Sequence, residues 1–109
     1  PPDQRNALEG RRIVEALAPQ DVALVLDEHG QKLSSPQLAA LLRRLDQEAR
    51  GRACFVVGGA WGLDDSVRQR AFKVLSLSDM TLPHELARVV LLEQIYRAEC
   101  ILRKVPYHH

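Results

Sequence analysis

Short, continuous runs of apolar residues mark two predicted strands. Residues 22–26 and 53–57 are almost wholly apolar, which is typical of strands covered on both faces of a parallel sheet. The first run opens into a predicted turn at 27–30, and the second ends at Gly58-Gly59. A third, weaker strand is predicted at 74–77.

Apolar residues at helical spacing occupy the segments between these strands. Residues 3–17 predict one helix and residues 64–73 a shorter one. The clearest amphipathic helix starts after the capping residue Ser34, has Pro36 in its first turn and continues to Ala49. Because strands and helices alternate, the sequence predicts an α/β domain built on a parallel sheet.

The last helix is apolar on more than one side. It is predicted to begin at Pro83 and to carry Arg103 and Lys104 in its last turn. Residues 89–92 read Val-Val-Leu-Leu, which puts apolar side chains around most of a helical turn. Because a chain of 109 residues forms only a modest core, we expect a second protomer to cover one side, giving a homodimer. A central helix in a monomer is the alternative.

Composition narrows the class of protein. The chain of 109 residues, 46% of them hydrophobic, is expected to form a single domain over residues 1–109. No apolar run approaches the roughly 20 residues that span a bilayer, and the first residues lack a signal-peptide pattern, so we expect no membrane association and a cytoplasmic location. The net charge of +1 does not by itself point to nucleic acid.

The residue types that bind metals or act as nucleophiles are scattered. Cys54 and Cys100 lie within apolar patterns and are expected to pack as small hydrophobic side chains. No pair of histidines has the spacing and carboxylate partner of a zinc site, so we expect no metal. Nothing supports hydrolase chemistry either, because no serine or cysteine stands in a nucleophile motif.

The glycines after the second strand are a candidate ligand site. Gly58-Gly59 with Gly62 matches neither a dinucleotide fingerprint nor a phosphate-binding P-loop. Their place at the carboxyl end of a buried strand is nevertheless where open α/β sheets bind ligands. Residues 75–82 alternate leucines with small polar residues, which fits either a strand running into a capped loop or a loop that holds an adenine ring.

These patterns form an ordered set of motifs. The chain reads Val-Val-Gly-Gly at 56–59 with Gly62-Leu63, Leu-Ser-Leu-Ser-Asp-Met-Thr-Leu-Pro-His at 75–84, Leu-Glu-Gln-Ile-Tyr-Arg-Ala at 92–98 and Pro-Tyr-His at 106–108. Together with Leu26-Asp27 and Pro-Gln-Leu-Ala at 36–39, the set closely resembles the RlmH family. That family consists of SPOUT-class methyltransferases that modify a pseudouridine of large-subunit ribosomal RNA. The likeness covers essentially the whole chain from about Gln4.

The resemblance implies a fold, a cofactor and partners. It implies a parallel sheet with a deep trefoil knot near the carboxyl terminus, a homodimer, and transfer of a methyl group from S-adenosylmethionine to N3 of a pseudouridine within the ribosome. The positions matching the family's cofactor contacts are Leu26, Gly58, Leu77, Ser78, Asp79, Met80, Thr81 and Leu82.

The resemblance also implies roles for the carboxyl-terminal tail. Tyr107 and His108 would reach the partner's pocket, orient the base and take its imide proton, and Arg97 would hold RNA or the cofactor carboxylate. Packing of the tail is the alternative role for Tyr107.

The chain departs from the family pattern in two places. Ala60-Trp61 stands where many relatives have Pro-Glu or Ala-Tyr, which is expected to alter the pocket rim. Relatives also begin with a strand-helix-strand unit that has no counterpart here, so the resemblance implies an amino-terminally shortened domain. A noncatalytic dimeric module that keeps the cofactor pocket is therefore a second interpretation. A phosphate-binding α/β protein, which rests on the glycines alone, is a third.

Overall fold

A computed structural model describes residues 2–48, 50–58 and 62–109, with side chains described from Gln4 onward. The predictions made for Ala49, Gly59, Ala60 and Trp61 lie outside these residues. The elements follow in the order α1 (Pro2–Ala16), β1 (Val22–Lys32), α2 (Ser35–Gln47), β2 (Ala53–Val57), α3 (Asp65–Arg70), β3 (Lys73–Ser76) and α4 (His84–Leu102).

The three strands form one parallel sheet, which confirms the predicted α/β class with a parallel sheet. Their order is β2-β1-β3, so β1 lies in the centre. Val22 pairs with Ala53 at the start of β1, and Leu26 pairs with both Val57 and Leu75 where the predicted strand ends. The carboxyl ends of all three strands therefore meet at one edge of the sheet.

Helices cover both faces of the sheet. On one face, Leu24 and Leu26 of β1 pack with Leu41 and Leu45 of α2 and with Leu91 of α4. On the other face, the alternate residues Ala23 and Val25 pack with Val67 of α3 and with the apolar side of α1. This alternation explains why residues 22–26 are continuously apolar, since β1 is buried on both sides.

Strand β1 continues through the segment predicted to be a turn, and that prediction is wrong. The register shifts between Leu26 and Gln31, both of which pair with Leu75, so residues 27–30 form an irregular excursion from the ladder. Gly30 allows the return to the ladder, because a Cβ there would lie 2.7 Å from the backbone carbon of Leu75.

Strand β2 is less buried than its sequence predicts. Only Val56 of its five residues is buried, because β2 lies at the edge of the described sheet and pairs with β1 alone. Both faces of the strand are nevertheless covered, as predicted. Val56 packs in the cluster that contains Val25, and Phe55 and Val57 pack against the cluster on the opposite face.

The elements after β2 begin and end slightly differently from the prediction. Asp64 caps α3 by accepting a hydrogen bond from the Ser66 N–H at 3.0 Å. The helix ends at Arg70, not at residue 73, because the Phe72 N–H already donates to the carbonyl of Ala23 in β1. Lys73 consequently belongs to β3, which lies one residue earlier than predicted.

Helix α4 ends in a tight reversal. Arg103 and Lys104 lie just beyond its last residue, Leu102, and not in its last turn. Lys104 adopts φ 58°, and the Val105 N–H donates to the carbonyl of Cys100 at 2.8 Å, as in a Schellman motif. The reversal turns the tail back along α4. Within the described ranges, no helix is long and apolar enough to cross a bilayer.

Candidate functional site

A cleft of about 500 Å³ opens where the carboxyl ends of the three strands meet. The end of β1 and the excursion after it form one wall, and Gly58 with Gly62 and Leu63 forms another. The loop at 77–82 and the first turn of α4 complete the cleft. This is the location at which open α/β sheets bind ligands.

Seven of the eight predicted cofactor positions line this cleft. They are Leu26, Gly58, Leu77, Ser78, Met80, Thr81 and Leu82. The eighth, Asp79, is on the same loop but is not among the lining residues. Its side chain is 80% exposed and its carboxylate forms an ion pair with Lys32. The folding of the chain thus brings together positions that are up to 56 residues apart in sequence.

The segment at 77–82 is a loop, so the strand interpretation of 75–82 holds only for its first two residues. Strand β3 ends at Ser76, whose hydroxyl donates to the carbonyl of Ser78 at 2.9 Å. The hydroxyl of Ser78 in turn accepts the Met80 N–H at 2.9 Å. These local bonds compete with strand pairing and fix the loop over the cleft.

Gly58 leaves space in the cleft that any larger residue would fill. A Cβ placed on Gly58 would be 3.7 Å from the Gly62 carbonyl oxygen and 3.9 Å from a methyl carbon of Leu63. These are ordinary contacts, so a side chain fits the fold but takes up cleft volume. The position therefore suits a ligand that approaches the backbone closely.

His84 joins two walls of the cleft. Its Nδ1 lies 2.8 Å from the carbonyl oxygen of Gly58. Because a carbonyl oxygen only accepts hydrogen bonds, Nδ1 carries the proton in this contact. The first turn of α4 is thereby tied to the end of β2.

The charge of the cleft disfavours phosphate. Asp27 and Glu28 are among its lining residues, and no lysine or arginine is among those described. A phosphate group would meet two carboxylates without a compensating cation. The phosphate-binding interpretation of the glycines therefore has no support from the surrounding side chains.

The three predicted catalytic residues form a second cluster with Glu93 on the surface of α4. The Tyr107 hydroxyl donates to the Glu93 carboxylate at 2.9 Å, and the Arg97 guanidinium donates to it at 2.7 Å and 3.2 Å. Arg97 also donates to Nδ1 of His108 at 3.1 Å and lies 4.8 Å from the centre of the Tyr107 ring. None of the three lines the cleft of its own protomer.

These contacts shift the pKa values of the cluster. Hydrogen bonds from Arg97 and then Tyr107 lower the pKa of Glu93, and the bond to Glu93 raises the pKa of Tyr107. The lowered pKa of Glu93 means that its ion pair with Arg97 and its bond from Tyr107 stabilise the fold above the ordinary pKa of glutamate, and this stabilisation is lost as the pH falls through the lowered value. The raised pKa of Tyr107 means that its bond to Glu93 stabilises the docked tail below the ordinary pKa of tyrosine. This stabilisation is lost as the pH rises through the raised value.

Removing the charge of Glu93 is expected to lower the pKa of Tyr107 toward that of a free tyrosine. Glu93→Gln keeps an oxygen acceptor for the hydroxyl but removes the negative charge that opposes formation of the phenolate. An ultraviolet titration of phenolate absorbance measures the change, with Tyr107→Phe identifying the contribution of Tyr107 against that of Tyr96. Superimposable titrations of the parent and Glu93→Gln would contradict the assigned contact.

Several site residues escaped prediction from the sequence. Asp27, Glu28 and His84 line the cleft, although the sequence predicts only a turn at Asp27 and Glu28 and gives no site role to His84. Glu93 precedes Arg97 by four residues, a spacing that signals an ion pair on a helix. No group of three or more metal-ligating side chains occurs in the part of the chain that is described.

Comparisons with known proteins identify the family of the chain. The family model described as "Predicted SPOUT methyltransferase" matches residues 1–108. Among curated proteins, the Ribosomal RNA large subunit methyltransferase H of Nitratidesulfovibrio vulgaris (strain DSM 19637 / Miyazaki F) is 56% identical over all 109 residues, which cover 70% of its length. The protein of that name from Oleidesulfovibrio alaskensis is 54% identical with the same coverage. That from Lawsonia intracellularis is 52% identical over 106 residues, 97% of this chain and 68% of its own. The relatives are thus longer than this chain, and the extent and level of identity show that the chain belongs to the SPOUT methyltransferases and, among them, to the RlmH family.

Proposed function

We propose that the chain methylates large-subunit ribosomal RNA, with S-adenosylmethionine bound in the cleft and N3 of a pseudouridine as the methyl acceptor. The observation that carries the proposal is the convergence of seven implied cofactor positions on one cleft at the carboxyl ends of the strands. The name of the relatives indicates ribosomal RNA as the substrate, and the resemblance implies the cofactor and the atom that is methylated. The proposed site of action is the cytoplasm, where ribosomes are found.

The residues of the cleft suit this cofactor. Bound S-adenosylmethionine supplies a methyl group on a positively charged sulfur. Gly58 leaves room for close approach to the backbone, and Leu77 and Leu82 offer apolar contacts for an adenine ring. The backbone of residues 77–82 offers hydrogen bonds to the edge of that ring. We also propose Asp79 as a contact, which requires its carboxylate to leave Lys32 or its backbone to take part.

A trefoil knot is part of the proposal, and the path of the chain supports it. The connection from β2 through α3 to β3 covers the face that carries α1. The chain then recrosses the carboxyl end of β1, reaches Gly58 at His84 and continues as α4 on the opposite face. A crystal structure tests the knot. If the knot is present, closing the chain by a path outside the molecule that joins the two termini gives a trefoil.

A homodimer is also proposed, through the outer side of α4. Leu91 of the predicted all-round apolar turn is buried against the sheet, whereas Val89 and Leu92 face outward. The outward side forms a stripe at helical spacing whose members are between 48% and 62% exposed, namely Leu86, Val89, Leu92 and Tyr96. A contiguous apolar stripe of this kind is typical of a surface that packs against another protein.

Dimerisation would bring the tail to a second cleft. Tyr107 packs edge-to-face on Tyr96, a member of the α4 stripe, with ring centres 4.9 Å apart. The tail cluster therefore adjoins the proposed interface. From there Tyr107 and His108 are proposed to orient the pseudouridine of the partner's site and to accept the imide proton, while Arg97 holds RNA or the cofactor carboxylate.

Direct binding and transfer experiments test the proposal. Calorimetry is expected to show one S-adenosylmethionine bound per chain, and ribosomes that lack the modification are expected to gain one methyl group, located by mass spectrometry of the RNA. Binding without transfer would instead favour the noncatalytic module. Absence of binding by the folded chain would refute the cofactor site.

The tail variants are expected to lose turnover but keep cofactor affinity. His108→Ala and Tyr107→Phe each remove a group proposed to act on the base, so we expect methylation to slow by about 100-fold while the dissociation constant for S-adenosylmethionine changes less than about two-fold. Single-turnover methylation of ribosomes provides the measurement. His109→Ala, at the adjacent exposed position, is the matched control. Unchanged turnover of both variants would remove the tail from the mechanism.

A further inference from the structure

Glu28 places a carboxylate on the wall of the cleft. Its Oε2 accepts a hydrogen bond from the Thr81 hydroxyl at 2.5 Å, and Thr81 itself lines the cleft. The Glu28 side chain is 44% exposed, so the rest of the carboxylate is open to solvent and to a ligand. The excursion of β1 puts this residue opposite the loop at 77–82.

Of the two carboxylates that line the cleft, Glu28 is the one available to a ligand. Asp27 has a side chain only 13% exposed, and its carboxylate accepts the His29 N–H at 3.1 Å. The imidazole of His29 is exposed on the same excursion, with Nε2 3.9 Å from the second carboxylate oxygen of Glu28. His84 directs Nδ1 to Gly58. Among the described lining residues there is no lysine or arginine to neutralise the two carboxylates.

We propose that Glu28 is a specificity-determining residue, which favours the positively charged sulfonium of S-adenosylmethionine over the neutral thioether of the product S-adenosylhomocysteine. This inference rests on the proposed function, since it requires the cofactor to occupy the cleft. The two ligands differ by a methyl group and one unit of positive charge. A carboxylate at the wall of the cleft attracts the positively charged sulfonium, whereas the neutral thioether has no charge for it to attract. Loss of the charge on sulfur therefore weakens binding and assists product release.

A purely structural role for Glu28 makes a different prediction. The bond from Thr81 helps to hold the loop at 77–82, and a loosened loop would weaken both ligands by the same factor. The ratio of the two dissociation constants separates these roles, because only a charge effect changes it. Glu28→Gln is a suitable variant since its amide oxygen still accepts the Thr81 hydroxyl while the charge is lost.

The experiment compares the two ligands by calorimetry at low ionic strength. For Glu28→Gln we expect the dissociation constant of S-adenosylmethionine to rise about five-fold and that of S-adenosylhomocysteine less than about two-fold. Glu85→Gln is the matched control, because it makes the same change at an exposed carboxylate in the first turn of α4 that is outside the cleft lining. The control is expected to keep the ratio of the parent chain.

A second measurement needs no variant. Raising the potassium chloride concentration screens the carboxylate, so the parent chain should lose affinity for S-adenosylmethionine but keep its affinity for the product. Two results would overturn the inference and leave the cofactor site intact. One is an unchanged ratio of the two dissociation constants in Glu28→Gln, and the other is equal weakening of both ligands by salt in the parent chain. Failure of the parent chain to bind either ligand would instead overturn the proposed function.

Discussion

The Gly58→Val variant is expected to bind S-adenosylmethionine about 100-fold more weakly than the parent chain, a loss of roughly 2.7 kcal/mol. The reason is steric. Among the described residues, a Cβ at this position has only ordinary contacts, with Gly62 and Leu63, so we expect the fold to accept the side chain. The two methyl groups of valine would instead fill the space in which the ligand meets the backbone. Calorimetry gives the affinity, and thermal unfolding checks that the variant remains folded.

A graded series strengthens this test. Gly58→Ala adds one methyl group and should give an intermediate loss of affinity, because it fills less of the same space. Equal affinities across glycine, alanine and valine would show that the ligand does not approach Gly58. The cleft assignment would then have to be abandoned.

The Leu92→Asp variant is expected to be monomeric. Leu92 is 60% exposed at the middle of the α4 stripe, so aspartate is tolerated in the free protomer but buries an unpaired carboxylate in the proposed dimer. That burial costs about 3–5 kcal/mol, which raises the dimer dissociation constant by more than about 100-fold. Light scattering should give twice the 12.3 kDa chain mass for the parent and the single chain mass for the variant.

The control for this experiment is Leu8→Asp. Leu8 is a 44% exposed leucine on α1, which covers the opposite face of the sheet from α4. The same chemical change there should leave the dimer intact. A monomeric parent chain, or a monomeric Leu8→Asp variant, would contradict assignment of the interface to the α4 stripe.

Local patterns were enough to predict the sheet and its helices. A continuous apolar run at 22–26 predicted the doubly covered centre of β1, and Ser34 with Pro36 predicted the start of α2, where the structure shows a complete capping box with Gln37. Such features depend on residues that are neighbours in sequence, so a local sequence pattern can predict them.

Features that depend on distant residues could not be predicted in this way. The excursion of β1 depends on Leu75 pairing on both sides of residues 27–30, and the exposure of β2 depends on its place at the edge of the sheet. Likewise, Glu28 enters the cleft because Thr81, 53 residues later in the chain, lies opposite it. The cofactor positions were found through the family resemblance, since their residue types alone are also typical of an ordinary loop.

The exposed edge of β2 has a consequence for how this chain behaves in solution. Its five residues, Ala-Cys-Phe-Val-Val, carry no charge, and phenylalanine and valine have high β-propensity. Within the described part of the chain β2 pairs with β1 alone, so its outer backbone groups can accept a strand from another molecule. Such pairing between molecules seeds aggregation. The charged residues directly before the strand that oppose it are Arg50 and Arg52. Because β2 lies at the sheet and not on the outer side of α4, aggregates that grow from it would persist in Leu92→Asp. We therefore expect solubility at high concentration to depend on a different surface from the one proposed to form the dimer.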